Sequence, residues 1–196
     1  MLASIHPLGE RARDRRWGVT VGAYLLGSTL AAALLGALLG GVGSVLPLGA
    51  GATAALVVAL AALALAYDVG VGGLRLPTVH RQVDKDWLGR YRGWVVGAGF
   101  GVQLGLGVVT IVNTAAVYLA LALALLTGSV AAGAAVGTTF GLLRALEILV
   151  VARVRRPDQL RSILRRVHAW RPLSERIGVA VQAVVLVAAG AVAIAH

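Results

Sequence analysis

Arg144 and Glu147 are two charges of opposite sign lying three residues apart inside an apolar run, on one face of a helix predicted from about Ser129 to Ala152. They sit one to two turns inside the boundary marked by Arg153. A buried pair of opposite sign loses less on desolvation than either charge alone, so it could serve as a gate, a counter-ion or a proton-coupled site. In the plainer reading, Arg144 snorkels and Glu147 neutralises it. A second candidate is the polar patch Thr110-Ile111-Val112-Asn113-Thr114, with Gln103 below it and Tyr118 above. On one interior face, Gln103, Thr110, Asn113, Thr114 and Tyr118 would line a solute pathway gated near Arg144 and Glu147. The alternative is that each hydroxyl or amide simply bonds a neighbouring helix. Gly93, Gly97, Gly101 and Gly105 add small-xxx-small spacing, which lets another helix approach closely.

The run carrying this patch is too long for one straight crossing. Gly93 to Leu126 is 34 residues, a helix of about 50 Å against a hydrocarbon core of about 30 Å. It must tilt, extend beyond the bilayer or break. A break near Asn113 would expose backbone groups, tolerated only where protein covers them or a wet cavity receives them, and broken helices of this kind build midplane sites in transporters.

Composition explains why bilayer arguments apply at all. Of 196 residues, 59% are hydrophobic and only 13% charged, against about 25% charged in soluble domains. The 18 Lys and Arg outnumber 8 Asp and Glu, and the lipid boundary accounts for that excess better than nucleic acid does. Nothing charged lies between Arg16 and Asp68 or between Arg92 and Arg144, gaps of 51 residues each, and a third gap follows Arg176. A crossing needs roughly 20 apolar residues, so the gaps predict an all-α polytopic transmembrane bundle of five spans, with six as the alternative. These lie at about 17–46, 51–72, 93–126, 129–152 and 177–196, in a single domain covering 1–196. Arginines cluster in 11–16, 75–92 and 153–176, whereas 44–50 and 127–129 carry none. The positive-inside rule then puts the N-terminus in and the C-terminus out.

Between Pro157 and Trp170, Leu160, Ile163, Leu164 and Val167 recur at helical spacing opposite Arg161, Arg165 and Arg166. This predicts an amphipathic helix over 157–170 on the membrane surface, its arginines on anionic headgroups and Trp170 at the interface; docking of a soluble partner is the sharper alternative. In the first span, Gly22, Gly36 and Gly40 with Ala31 to Ala33 read as packing. Gln182 and Asp68 read as isolated, with Asp68 at the interface. His80 stands alone, without a second ligand at metal spacing. With no cysteine there is no disulfide and no thiol redox chemistry within this chain. No metal cluster, phosphate loop or nucleophile-base pair is visible, so neither a cofactor nor intrinsic enzymology is expected.

The stretch Met1-Leu2-Ala3-Ser4-Ile5-His6-Pro7-Leu8-Gly9-Glu10-Arg11-Ala12-Arg13, the Gly/Ala-rich span after it, and Gly99-Phe100-Gly101-Val102-Gln103-Leu104-Gly105-Leu106-Gly107 with Thr110 and Asn113 carry a likeness. They resemble actinobacterial members of the CcdA/DsbD-transmembrane and TauE-like group of the LysE superfamily. That resemblance implies two related halves, each opened by a broken helix, and either movement of reducing equivalents or export of small solutes. It also implies a cysteine in each broken helix; here Val112-Asn113 stands where the second would fall, which excludes that relay for this chain as written. It further implies that Met1 is an internal start, one span short. A weak internal echo pairs Pro7-Leu8-Gly9-Glu10-Arg11 with Pro172-Leu173-Ser174-Glu175-Arg176.

These observations together predict a multi-pass protein of the bacterial cytoplasmic membrane. Its first reading is a small-solute transporter or exporter, homo-oligomeric or with a membrane partner. Its second is a non-transporting subunit or assembly factor that docks a partner, and its third a component of a redox or cofactor-maturation system whose cysteines lie elsewhere.

Overall fold

A computed structural model describes residues 5–71, 90–107 and 114–195. Thr110, Asn113, His80 and most of the 75–92 loop lie outside the described residues. Within them the chain forms α1 (Pro7–Ala12), α2 (Trp17–Ser44), α3 (Ala50–Asp68), α4 (Gly93–Gly105), α5 (Ala116–Leu126), α6 (Val130–Leu146), a 3₁₀ turn (Glu147–Val151), α7 (Pro157–Ala169) and α8 (Arg171–Ala195). No strand is present among the described residues.

Local chemistry sets the boundaries. Pro7 opens α1, where its missing N–H costs nothing, and His6 Nδ1 accepts the Gly9 N–H at 3.1 Å. Ser129 Oγ accepts the Ala132 N–H at 3.4 Å ahead of α6. Pro157 opens α7, and Gln159 Oε1 reaches back to accept the N–H groups of Arg155 and Arg156 at 2.8 and 3.2 Å. α4 stops where Gly107 takes φ +71°, a left-handed conformation that glycine adopts without a steric penalty.

Four described helical stretches are long and apolar enough to cross a membrane: Trp17–Ser44, Ala50–Asp68, Val130–Val151 and Pro172–Ile194. The long 93–126 run is two shorter helices, α4 of 13 residues and α5 of 11. The chain is thus an all-helical, polytopic membrane bundle, with the third apolar run interrupted rather than continuous.

α2 is the hub. A Cβ added to Gly97, Gly101 or Gly105 of α4 would land on the carbonyl oxygens of Thr20, Tyr24 and Ser28 in turn, so α4 runs parallel to the first half of α2. In α6, Gly133 meets Gly36, Gly137 meets Ala32 and Gly141 meets Ser28, so α6 runs antiparallel along the same row. Both rows step by four residues, the spacing that lets ridges of one helix enter grooves of the next. Ser28 is the crossing point, fully buried, its Oγ donating to the Gly141 carbonyl at 2.9 Å. In hydrocarbon the hydrophobic effect adds nothing between helices, so such close backbone approach is what holds them. Gly36 and Gly40 take part as expected, but Gly22 faces open space with nothing within 4 Å of its would-be Cβ. The α6 row Gly133, Gly137, Gly141 and Ala145 carries the same small-xxx-small signal, although only the α2 and α4 rows were expected to pack.

Two further groupings complete the bundle. α3 and α8 pair with each other and reach the hub through α5, over Ala61, Ala64, Ala115 and Leu119 with Val185 and Leu186 against them. At the arginine-bearing end, Ile5, Ile148, Val151 and Val154 form a water-adjacent core with Val96 and Phe100, and Leu160 and Ile163 of α7 pack against it. There apolar burial does contribute, about 1.5 to 3 kcal/mol for a fully covered isoleucine.

The α1 cap gives a first expected result. Burial, followed by the charge on Arg13, holds the His6 imidazole below its usual pKa of 6.5, with Glu10 opposing. Only the neutral ring can accept the Gly9 N–H. Because the folded value is the lower one, this stabilisation is complete above pH 6.5 and is lost as pH falls from there through the folded value. His6→Ala should cost about 1 kcal/mol and remove that acid dependence. Exchange protection of the Gly9 and Glu10 amides, compared at pH 7.5 and 5.5, measures it; an unchanged profile in the variant would exclude the cap.

Candidate functional site

The cap position of α5 is Ala115, which has no polar side chain. Ala115, Ala116 and Val117 cannot cap its free N–H groups. The structure supplies the cap from another helix: Asp68, the last residue of α3, accepts the Ala115 N–H on Oδ1 at 2.8 Å. Its Oδ2 accepts the Gln182 Nε2–H of α8 at 2.6 Å. Asp68 and Gln182, read as isolated, are therefore partners, 114 residues apart in the chain.

α5 rises about 16 Å from Ala116 to Leu126 and ends level with Gly43, whose would-be Cβ falls on the Leu125 carbonyl. Gln182 lies eleven residues into the 25 of α8. Asp68 is the last residue of α3, the Ala50–Asp68 stretch long enough to cross a membrane. A carboxylate there is costly, and the amide end of α5, with its partial positive charge, together with two N–H donors, offsets the cost.

The residues expected to line a pathway are placed as follows. Gln103, Thr114 and Tyr118 are half-buried, Gln103 on α4 below the interruption and the other two beside the start of α5. Between α2, α5 and α6, Ala32, Gly36, Ala124 and Phe140 enclose about 10 Å³, room for one water at most. Arg144 is half-buried with its guanidinium 5.6 Å from the centroid of Phe140, a cation-π geometry. Glu147 is exposed and belongs to the 3₁₀ turn, where side chains advance by about 120° per residue instead of about 100°. Gly93, Gly97, Gly101 and Gly105 all face α2.

Glu10 lay outside every expected site. It is fully buried; its Oε2 accepts the Thr20 hydroxyl at 2.6 Å and its Oε1 pairs with Arg13 Nη1 at 3.2 Å. A Cβ on Gly93 would lie 2.6 Å from Thr20 Oγ1 and 3.1 Å from Glu10 Oε2. Arg15 Nη2 donates to the Tyr91 carbonyl at 2.6 Å. These contacts seat the Pro7-Leu8-Gly9-Glu10-Arg11 segment against the entry of α4. The signal that could have found it is a glutamate amid arginines directly before an apolar span.

On α7 the apolar side is occupied, with Leu160 and Ile163 turned onto the body of the protein, while Arg161, Arg165, Arg166 and Trp170 are exposed. A mostly apolar cavity of about 720 Å³ lies at the opposite end between α2, α3, α5 and α8.

An interrupted helix within a glycine-packed, all-helical bundle defines a class of multi-pass membrane protein, and within it this chain belongs to the cytochrome c biogenesis protein transmembrane region family, whose pattern matches residues 2–191. Its relatives include the methylamine utilization protein MauF of Paracoccus versutus, 37% identical over 153 residues, covering 76% of this chain and 56% of that protein. MauF of Paracoccus denitrificans is 33% identical over 177 residues, covering 89% and 61%. MauF of Methylophilus methylotrophus is 34% identical over 154 residues, covering 76% and 54%. The chain spans a little over half the length of these relatives. No solved structure matches it. The match supports the CcdA/DsbD side of the resemblance and brings nothing to its TauE-like and LysE side.

Proposed function

We propose that the chain is a non-catalytic, non-transporting component of the bacterial cytoplasmic membrane that docks a partner protein and serves its assembly or maturation. The observation that carries this reading is α7, whose apolar side is already used by the protein's own core while three arginines remain free to engage an acidic surface. Family membership and the MauF relatives, named for methylamine utilization, favour such a role over solute export. With no cysteine among these 196 residues, any thiol chemistry in the system is supplied from elsewhere.

The test is site-specific crosslinking from positions next to the arginine face in intact membranes. Wild-type chain should yield a discrete adduct. Arg161→Glu, Arg165→Glu and Arg166→Glu combined should reduce it at least tenfold with insertion unchanged, whereas Gln103→Ala should leave it intact. Solute flux in proteoliposomes that depends on Gln103 and Arg144, with crosslinking indifferent to the arginines, would return the protein to the transporter reading.

A further inference from the structure

The polar constellation at the helix interruption is not used by the docking role and stands independently of it. Asp68 has spent one oxygen on the Ala115 N–H and the other on Gln182 Nε2. Gln182 is only 1% exposed, yet its Oε1 is buried without a hydrogen-bond partner. That orphan oxygen belongs to the same amide group whose nitrogen touches the carboxylate, so it lies beside Asp68.

Charge accounting names the missing complement. The amide end of a helix carries roughly half a positive charge, falling off within its first turn, and so offsets only part of a full carboxylate charge. What is left over is negative charge and an unsatisfied acceptor, both oxygen-based. Oxygen donors of this kind suit hard cations, and a lone carboxylate already shared with a helix terminus matches one positive charge better than two. We infer that Asp68 and Gln182 form a binding site for a small monovalent cation, contacted by the carboxylate and by Gln182 Oε1. A metal ion of the alkali series and an ion of the ammonium type share this chemistry; the second donates hydrogen bonds and the first is coordinated.

The full chain in lipid nanodiscs gives the test. Its thermal midpoint is followed by tryptophan fluorescence during titration with sodium, potassium or ammonium chloride, choline chloride holding ionic strength constant at fixed pH. The wild type should show a saturable rise of about 5 to 10 °C at a hundredfold excess over half-saturation, and the responding salt identifies the source. Asp68→Asn keeps an oxygen for Ala115 but removes the charge, and should abolish the response. Gln182→Leu removes the orphan oxygen and should raise the half-saturating concentration at least tenfold; it carries the test alone if the asparagine variant does not fold. A wild-type midpoint indifferent to all three salts, or one that moves only with pH, would overturn the site. So would an Asp68→Asn protein with a lower midpoint but an undiminished salt response, since Asp68 would then be a cap and nothing more.

Discussion

Gly137→Leu is expected to yield no folded protein, while Gly22→Leu yields wild-type amounts. A Cβ on Gly137 would approach the Ala32 carbonyl carbon to 2.8 Å and the Ala33 Cα to 3.2 Å. Those atoms are backbone, so no rotamer change relieves the clash. Ordinary overpacking against flexible side chains costs about 1 to 3 kcal/mol. Here α2 must retreat from α6 along the whole row, and because the same face of α2 also holds α4, the loss should exceed about 4 kcal/mol. Gly22 meets nothing within 4 Å, and leucine there gains up to about 1 kcal/mol of helix propensity. Size-exclusion profiles of fluorescent fusions in mild detergent separate the two outcomes. A monodisperse Gly137→Leu protein with an unshifted midpoint would mean that the α2 and α6 backbones are not in contact.

Glu10→Ala should lower stability by about 2 to 3 kcal/mol, and Glu10→Gln by clearly less. The alanine leaves the buried Thr20 hydroxyl without its acceptor at 2.6 Å, and an orphaned buried donor costs about 1 to 3 kcal/mol. The Arg13 partner adds little, because a side chain 33% exposed can be solvated when its carboxylate is gone. Glutamine keeps an acceptor within reach of Thr20. Unfolding in detergent ranks the variants, and equal loss for the two would show that the hydroxyl bond contributes nothing. Destabilisation should appear first as detachment of α1 from the entry of α4, since Ile5 and Glu10 seat it there.

What could be read from the sequence was whatever obeys a local rule. Charge-free gaps mark the apolar helices, Pro157 marks the start of α7, and simple length shows that 93–126 cannot run straight. The four-residue glycine spacing of α4 points correctly at a helix neighbour. It says nothing about which side of α2 receives it, which is why Gly22 was grouped with Gly36 and Gly40 although it faces away. α8 begins at Arg171, ahead of the apolar stretch from 177, because Glu175 and Arg176 can be helical while exposed. The polar contacts were not legible for a different reason. Asp68 and Gln182 each look like a stray polar residue until the fold closes 114 residues of chain between them. Glu10 and Thr20 are ten apart, with the bend between α1 and α2 separating them, so neither the helical nor the strand period relates them. Thr110 and Asn113, central to the expected pathway, fall outside the described residues.

The distance along the chain between Asp68 and Gln182 imposes an order on biogenesis. A ribosome adds about 5 to 20 residues per second, so translation of the intervening 114 residues leaves the nascent carboxylate without its amide for about 6 to 23 s. Synthesis of α8 is thus the step that gives this carboxylate its second donor. A chain truncated before that helix would carry this acid only partly satisfied, a defect that quality-control proteases could distinguish from the finished product.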